Sequence, residues 1–206
     1  MKLRNSLDIF LFAAFSFITN LTIAHEGHLP NDKIKPIMSE SILNLKSEWT
    51  TQAGQPASIK DFGGKPFIVA MIYTSCDQAC PLIIEDLRKI ENALSKKTSV
   101  RIPFLLFSFD TLKDTPIKLK AFAQSRKLDL HHWTLFNGNK NAVRELAAVL
   151  GIRYKKNANG DFDHSNVITL IDAEGLVVEQ QIGLNQDPQP LADKALRLNS
   201  VIRNAL

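Results

Sequence analysis

Apolar residues follow two rhythms in this chain, and the change from one to the other falls in a single stretch. Phe67-Ile68-Val69-Ala70-Met71-Ile72 is an unbroken apolar run with the β-branched content of a strand buried on both faces. From Ile83 onward the spacing widens, and Ile83, Leu87, Ile90 and Leu94 recur every three or four residues, which predicts a helix with one apolar stripe. Pro81 suits the first turn of that helix, where its missing N–H loses nothing. Between the two lies Tyr73-Thr74-Ser75-Cys76-Asp77-Gln78-Ala79-Cys80-Pro81, so both cysteines of the chain sit where a central strand becomes a helix.

The same reading places the other elements. Ile42–Thr51 and Ala57–Phe62 read as two strands around Gly54-Gln55-Pro56, and Gly63-Gly64-Lys65-Pro66 turns the chain into the buried strand. Arg101–Phe109 is a further apolar strand. Asp114-Thr115-Pro116 carries the signals of a helix start, with Asp114 as the cap and a helix to about Arg126. Trp133–Phe136 is a short strand, and Asn139 caps a helix from Lys140 to Leu150 that Gly151 ends. Alternating strands and helices imply parallel pairing with both faces of the sheet covered.

The last third changes pattern: Ile152–Lys156, Val167–Asp172 and Leu176–Ile182 read as strands separated by Asn157-Ala158-Asn159-Gly160 and Ala173-Glu174-Gly175, with two of them forming a hairpin. Asp187 caps a closing amphipathic helix, with Pro188 at its first position, running to Ala205 through Leu191, Ala195, Leu198 and Ile202. The fold class is therefore α/β: a central mixed sheet flanked by helices, preceded by an N-terminal strand pair and carrying a hairpin insertion.

The N-terminus stands apart. Met1-Lys2-Leu3-Arg4 is basic and Ile9–Ile18 almost uninterruptedly apolar, the marks of a secretory signal over residues 1–24. Cleavage after Thr22-Ile23-Ala24 is favoured over an uncleaved anchor, because the apolar run is well under the roughly 20 residues that span a bilayer. Residues 25–41 read as a flexible leader and 42–206 as one domain. His25-Glu26-Gly27-His28 would open the mature chain, where a free amine beside an imidazole can chelate copper(II) and a plain polar leader is the simpler account. The net charge of +4 comes from 25 basic and 21 acidic residues that mostly sit side by side. Without a basic stripe, the pattern speaks against nucleic acid as a partner.

Chemistry is carried by the cysteines. Thiols at a helix N-terminus meet its positive dipole end and ionise more readily, so both Cys76 and Cys80 are expected to be reactive. Four residues apart is one helical turn, which lets the two sulfurs bind one ion or each other. A structural staple is the poorer account: closing about five residues restricts the unfolded chain by only about 2 kcal/mol, against more than about 4 for a loop of about a hundred. Outside the cytosol such thiols drift to a disulfide, so work as thiolates needs a thiol reductant as partner.

The order of elements is that of thioredoxin-like domains, and over roughly Leu43–Ser200 the chain resembles the narrower Sco/SenC family, copper-handling proteins that help assemble cytochrome c oxidase. Three motifs carry the resemblance: Tyr73-Thr74-x-Cys76-x-x-x-Cys80-Pro81; Ser108-x-Asp110-x-x-x-Asp114-Thr115-Pro116; and Asp163-His164-Ser165 followed by Leu170-Ile171-Asp172-x-x-Gly175. The resemblance implies that Cys76, Cys80 and His164 are copper ligands, and that the protein is exported to the periplasm to serve an oxidase subunit or other cuproprotein. Membrane association follows only if residues 1–24 are retained. Thr111 departs from the family's usual proline, and Asp77-Gln78-Ala79 lacks the proline common after the first cysteine.

Residue chemistry agrees, since two soft thiolates and an imidazole favour copper(I), with copper(II) as the second candidate, and suit zinc less because structural zinc takes four ligands. His164 lies on the loop where an ordinary thioredoxin faces its cysteines with a proline. Asp110, Asp114 and Asp163 are candidates to orient the ligands, while His131 and His132 read as surface or core-edge residues. The competing function is a thiol-disulfide oxidoreductase, with Cys76 attacking and Cys80 resolving. A peroxidase of the peroxiredoxin kind is disfavoured by Tyr73, where that chemistry uses threonine.

Overall fold

In the computed structural model, which describes residues 41–76, 79–99 and 101–205, the central apolar run is buried at every position. The elements in chain order are β1 (Trp49–Thr51), β2 (Pro56–Ala57), β3 (Phe67–Ile72), α1 (Ala79–Ser95), β4 (Phe104–Ser108), α2 (Pro116–Ser125), β5 (Trp133–Gly138), α3 (Lys140–Val149), β6 (Tyr154–Lys156), β7 (Phe162–His164), β8 (Val167–Ile171), β9 (Val177–Ile182) and α4 (Gln189–Ala205). Seven strands form one mixed sheet in the order β2-β1-β5-β4-β3-β8-β9, with β3, β4 and β5 parallel and β8 antiparallel to β3. The α/β architecture read from the sequence holds. Residues 1–40, which take in the expected signal (1–24) and all but the last residue of the expected leader (25–41), lie outside the described residues.

Aromatic side chains knit the centre of the sheet together. Phe104 stacks on Trp133 and Phe107 on Phe136, each pair 4.5 Å between centroids, while Trp49 meets Phe107 edge-on at 4.6 Å. Such pairs add about 0.5–1.5 kcal/mol each beyond the area they bury. α1 packs beside α4, and α2 lies against β5. The strands that carry function therefore rise from a rigid base.

The N-terminal strand pair is shorter than expected. Ile42–Asn44 is a 3₁₀ turn, with the Ser41 side chain accepting from the Leu43 N–H, and pairing with β5 begins only at Trp49. Ile59–Phe62 is likewise a 3₁₀ turn, because Ser58 and Asp61 form a reciprocal capping box that takes the backbone out of the ladder. Both turns still bury their apolar residues, Ile42 and Ile59. The first turn is held by the β8–β9 connection, where the Ile42 N–H donates to the Gly175 carbonyl at 2.9 Å. Gly175 has φ +85°, and a Cβ there would come within 2.5 Å of the Leu43 side chain, so both backbone and space demand glycine.

Two caps also move. Thr115, not Asp114, is the N-cap of α2, its hydroxyl accepting from the Lys118 N–H. Asp187 accepts from the Gln189 N–H, so Pro188 precedes the first turn of α4. Asn139 caps α3 as expected, and Gly151 ends it with φ +66°.

The stretch after α3 holds a strand that periodicity did not reveal. Phe162–His164 pairs antiparallel with Tyr154–Lys156 across Asn157–Gly160, forming a two-stranded arm separate from the main sheet. The second hairpin, β8–β9, is the expected one.

Candidate metal centre

β3 delivers the chain to the site at Tyr73. A turn follows, closed by the Cys76 N–H to the Tyr73 carbonyl at 3.3 Å, and α1 opens at Ala79, which puts Cys80 in its first turn. The Cys80 N–H points at the Cys76 sulfur, 3.3 Å away, so that sulfur takes up one of the donors a helix start leaves over. No disulfide joins the pair. Both residues are buried, Cys80 completely and Cys76 with 6% exposure.

Across the sheet, the loop after β4 braces this turn. The fully buried Asp114 carboxylate accepts from the Thr74 N–H at 2.8 Å, from the Thr74 hydroxyl and from the Ser108 hydroxyl. Ser108 in turn accepts from the Asp110 N–H at 3.0 Å. Asp110 folds its own loop, one carboxylate oxygen accepting from the Leu112 and Lys113 N–H groups while the other is buried without a partner. The expected orienting role thus falls to Asp114, which acts on the backbone before Cys76. That explains why this carboxylate is not the helix cap.

The third side chain comes from the arm. His164 ends β7, and its ring lies against Phe109 at 4.9 Å and edge-on to Tyr73 at 6.1 Å. Its Nδ1 is 3.1 Å from the Ser165 carbonyl. A carbonyl can only accept, so Nδ1 carries the proton and Nε2 keeps the lone pair that a metal needs. Tyr73, Phe109, Tyr154 and Phe162 form a continuous set of ring contacts around this edge. Ligand atoms of Cys76, Cys80 and His164 lie within 4.8 Å of one another, the one such cluster of three or more among the described residues.

Electrostatics act strongly on Cys80. The Cys80 thiol is pushed far above its ordinary range, first by its hydrogen bond to Cys76 and then by burial. Cys80 therefore holds its proton at neutral pH, against the expectation that both thiols ionise readily; the helix dipole is outweighed where the sulfur is sealed from water. Tyr73 is also pushed up, by burial and by a side-chain hydrogen bond to Cys76. A bound cation reverses this logic, since its charge at the sulfurs outweighs that of a proton.

The remaining candidates lie elsewhere. Asp163 is exposed, hydrogen-bonds Asn157 at 3.3 Å and points to the opposite face of β7 from His164, so it does not orient the ligands. His131 is exposed, and buried His132 bonds Glu91 and lies 3.3 Å from Asp129 at the other end of the strands, the core-edge place expected of it. Sequence reasoning missed β7. Alternation in Phe162-Asp163-His164, opposite Tyr154-Lys155-Lys156 across an Asn/Gly turn, was the available signal for the strand.

Comparison with known proteins places this geometry in context. The SCO1/SenC family model matches residues 40–199. A SCO1 protein homolog from Bacillus subtilis is 24% identical over 140 residues, 66% of this chain and 72% of that one. Among solved structures, a SCO1/SenC family lipoprotein from Bacillus anthracis superposes with a TM-score of 0.70 at 26% identity, covering 80% of this chain and 97% of that one. Bradyrhizobium japonicum ScoI, solved with copper bound, shares the fold with a TM-score of 0.62 at 24% identity, covering 74% and 96%.

Proposed function

This chain belongs to the SCO1/SenC family, and on that premise we propose that it carries one copper ion on Cys76, Cys80 and His164 and delivers it during assembly of cytochrome c oxidase. The observation that carries the reading is the convergence of three ligand atoms within 4.8 Å from three separate segments: the turn after β3, the first turn of α1 and the end of the β6–β7 arm. Two thiolates and an imidazole form a soft set that prefers copper(I) and offers too few ligands for structural zinc. Three ligands also leave the ion open to a fourth from an incoming protein, which is what transfer by ligand exchange requires.

In this role the protein is a carrier and not an enzyme; copper is its cargo. The partners are an oxidase subunit or another cuproprotein and a thiol reductant that keeps Cys76 and Cys80 reduced. The setting is the periplasm, reached through the secretory signal at residues 1–24. No helix among the described residues is long and apolar enough to cross a membrane.

A second reading is favoured by the proton on Cys80. In a thiol-disulfide reductase, Cys76 would attack a partner disulfide and release one partner thiolate. Cys80 would then lose its proton and attack Cys76, freeing the second partner thiolate and leaving the Cys76–Cys80 disulfide. The test that separates the two is oxidase assembly in cells carrying His164→Ala. A carrier fails without its imidazole ligand, whereas a reductase needs only the cysteines and continues to work.

A further inference from the structure

The two most exposed large apolar side chains among the described residues, Ile117 at 80% and Leu112 at 72%, stand beside the metal centre. The loop between β4 and α2 is tied to the ligand-bearing segments on both sides of Leu112. On one side Phe109 lays its ring against His164 at 4.9 Å. On the other, Asp114 accepts from the Thr74 N–H at 2.8 Å, two positions before Cys76. Leu112 lies at the crown between these two contacts, and Ile117 follows at the second position of α2. The crown is pinned: one Asp110 carboxylate oxygen accepts from the Leu112 N–H at 3.2 Å and the Lys113 N–H at 3.0 Å, and the Asn137 amide donates to the Thr111 carbonyl at 3.4 Å. Single exposed apolar residues are ordinary, but two on a fixed backbone at the rim of a ligand cluster mark contact with another molecule.

The surrounding charge indicates what kind of molecule. From Thr111 to Lys127 the chain has five basic residues and one acidic residue, Asp114, which is buried. Lys113, Lys118 and Lys120 are exposed and enter no ion pair among the described residues. We propose that Leu112 and Ile117, with these three lysines around them, form the docking surface for the protein that receives the copper, and that the receiving face is acidic with an apolar centre. A second copy of this chain is a poor occupant, because it would bring the same lysines. A membrane is poorer still, since two apolar side chains at the start of a ten-residue helix bury little in lipid. A small apolar contact with a charged rim suits a carrier: the lysines speed encounter, and the limited area lets the partner leave with the ion.

This inference rests on the copper reading, so transfer and association are measured separately. The probe is the purified, copper-free copper-accepting domain of the cell's own cytochrome c oxidase, offered to the copper(I)-loaded protein in parallel with a small copper(I) chelator. Leu112→Asp together with Ile117→Asp should keep the wild-type copper(I) content and the wild-type rate of loss to the chelator, which reports an intact fold and site. Its second-order rate of transfer to the domain should fall about tenfold or more, as loss of a central apolar anchor does. Lys113→Glu together with Lys118→Glu should slow transfer several-fold and flatten its salt dependence, because charge steering is screened by ions. Association of the copper-free proteins, followed by NMR shifts of the acceptor domain, should weaken in both variants. Equal transfer rates in wild type and both variants overturn the docking surface and leave the copper reading standing, and an equal slowing toward the chelator overturns it by placing these residues in the site itself. A wild type that takes up no copper, yet binds the domain through these residues, overturns the copper reading and leaves the surface standing. Binding to phosphatidylglycerol vesicles that the substitutions abolish, with none to the domain, overturns the protein partner in favour of lipid.

Discussion

Asp114 accepts two hydrogen bonds from Thr74, one from its backbone N–H at 2.8 Å and one from its hydroxyl, across forty positions of chain. Only Ser75 separates Thr74 from Cys76, so the carboxylate fixes the backbone from which the first sulfur projects. With the Ser108 hydroxyl as its third donor, Asp114 fastens the end of β3 to the end of β4 beneath the site.

Asp114→Ala should therefore act on both stability and copper. It strands the half-buried Thr74 N–H and two hydroxyls, and a loss of roughly 2–4 kcal/mol in unfolding free energy of the copper-free protein is expected, from about 1–3 kcal/mol for each buried group left unpaired. Asp114→Asn, which keeps an acceptor oxygen, should lose less than half of that. Urea unfolding of the two variants checks the order; equal stability of Asp114→Ala and wild type would show that the brace is dispensable.

Copper binding should release a proton that Cys80 holds beforehand. Burial and the bond to Cys76 raise its folded-state pKa, so at neutral pH the copper-free thiol is neutral and the ion must displace its proton. Raising the pH removes that competition, and apparent copper(I) affinity should increase by about tenfold per pH unit for each proton released. Chelator competition at pH 6 and pH 8 measures the slope. An affinity independent of pH would mean that Cys80 is not a ligand.

Oxidation should abolish copper(I) binding. A disulfide sulfur is no longer an anion, and His164 alone is a weak site. Protein oxidised to the Cys76–Cys80 disulfide should therefore leave copper(I) with the chelator and recover binding on reduction; retention of copper by the oxidised form would place the ligands elsewhere.

The sequence made the sheet legible where burial was strongest. The run from Phe67 to Ile72 and the stripe from Ile83 to Leu94 each read as one element, because apolar periodicity reports which faces a segment buries. The cysteines at a strand-to-helix junction followed from the same two signals. Ile42 and Ile59 misled, because a 3₁₀ turn buries one large side chain as well as a strand does, and Ser41 and Ser58 decided the backbone locally. Asp114 misled for a related reason: Asp-Thr-Pro offers two caps, and only the tertiary position of Thr74 determines which residue is free to serve. The ring contacts of Tyr73 with Phe162 and His164 were not legible at all, since they join a strand end to an arm about ninety residues later.

Copper(I) stoichiometry and affinity of the reduced protein, measured side by side for wild type and His164→Ala by chelator competition, test the central claim most directly. The account predicts close to one copper(I) per chain in the wild type, and binding weaker by about tenfold or more in the variant, equivalent to roughly 1.4 kcal/mol or above, with the Cys76–Cys80 disulfide still able to form. Equal affinity in the two proteins would contradict it, since the imidazole held within 4.8 Å of both sulfurs would then contribute nothing to the ion.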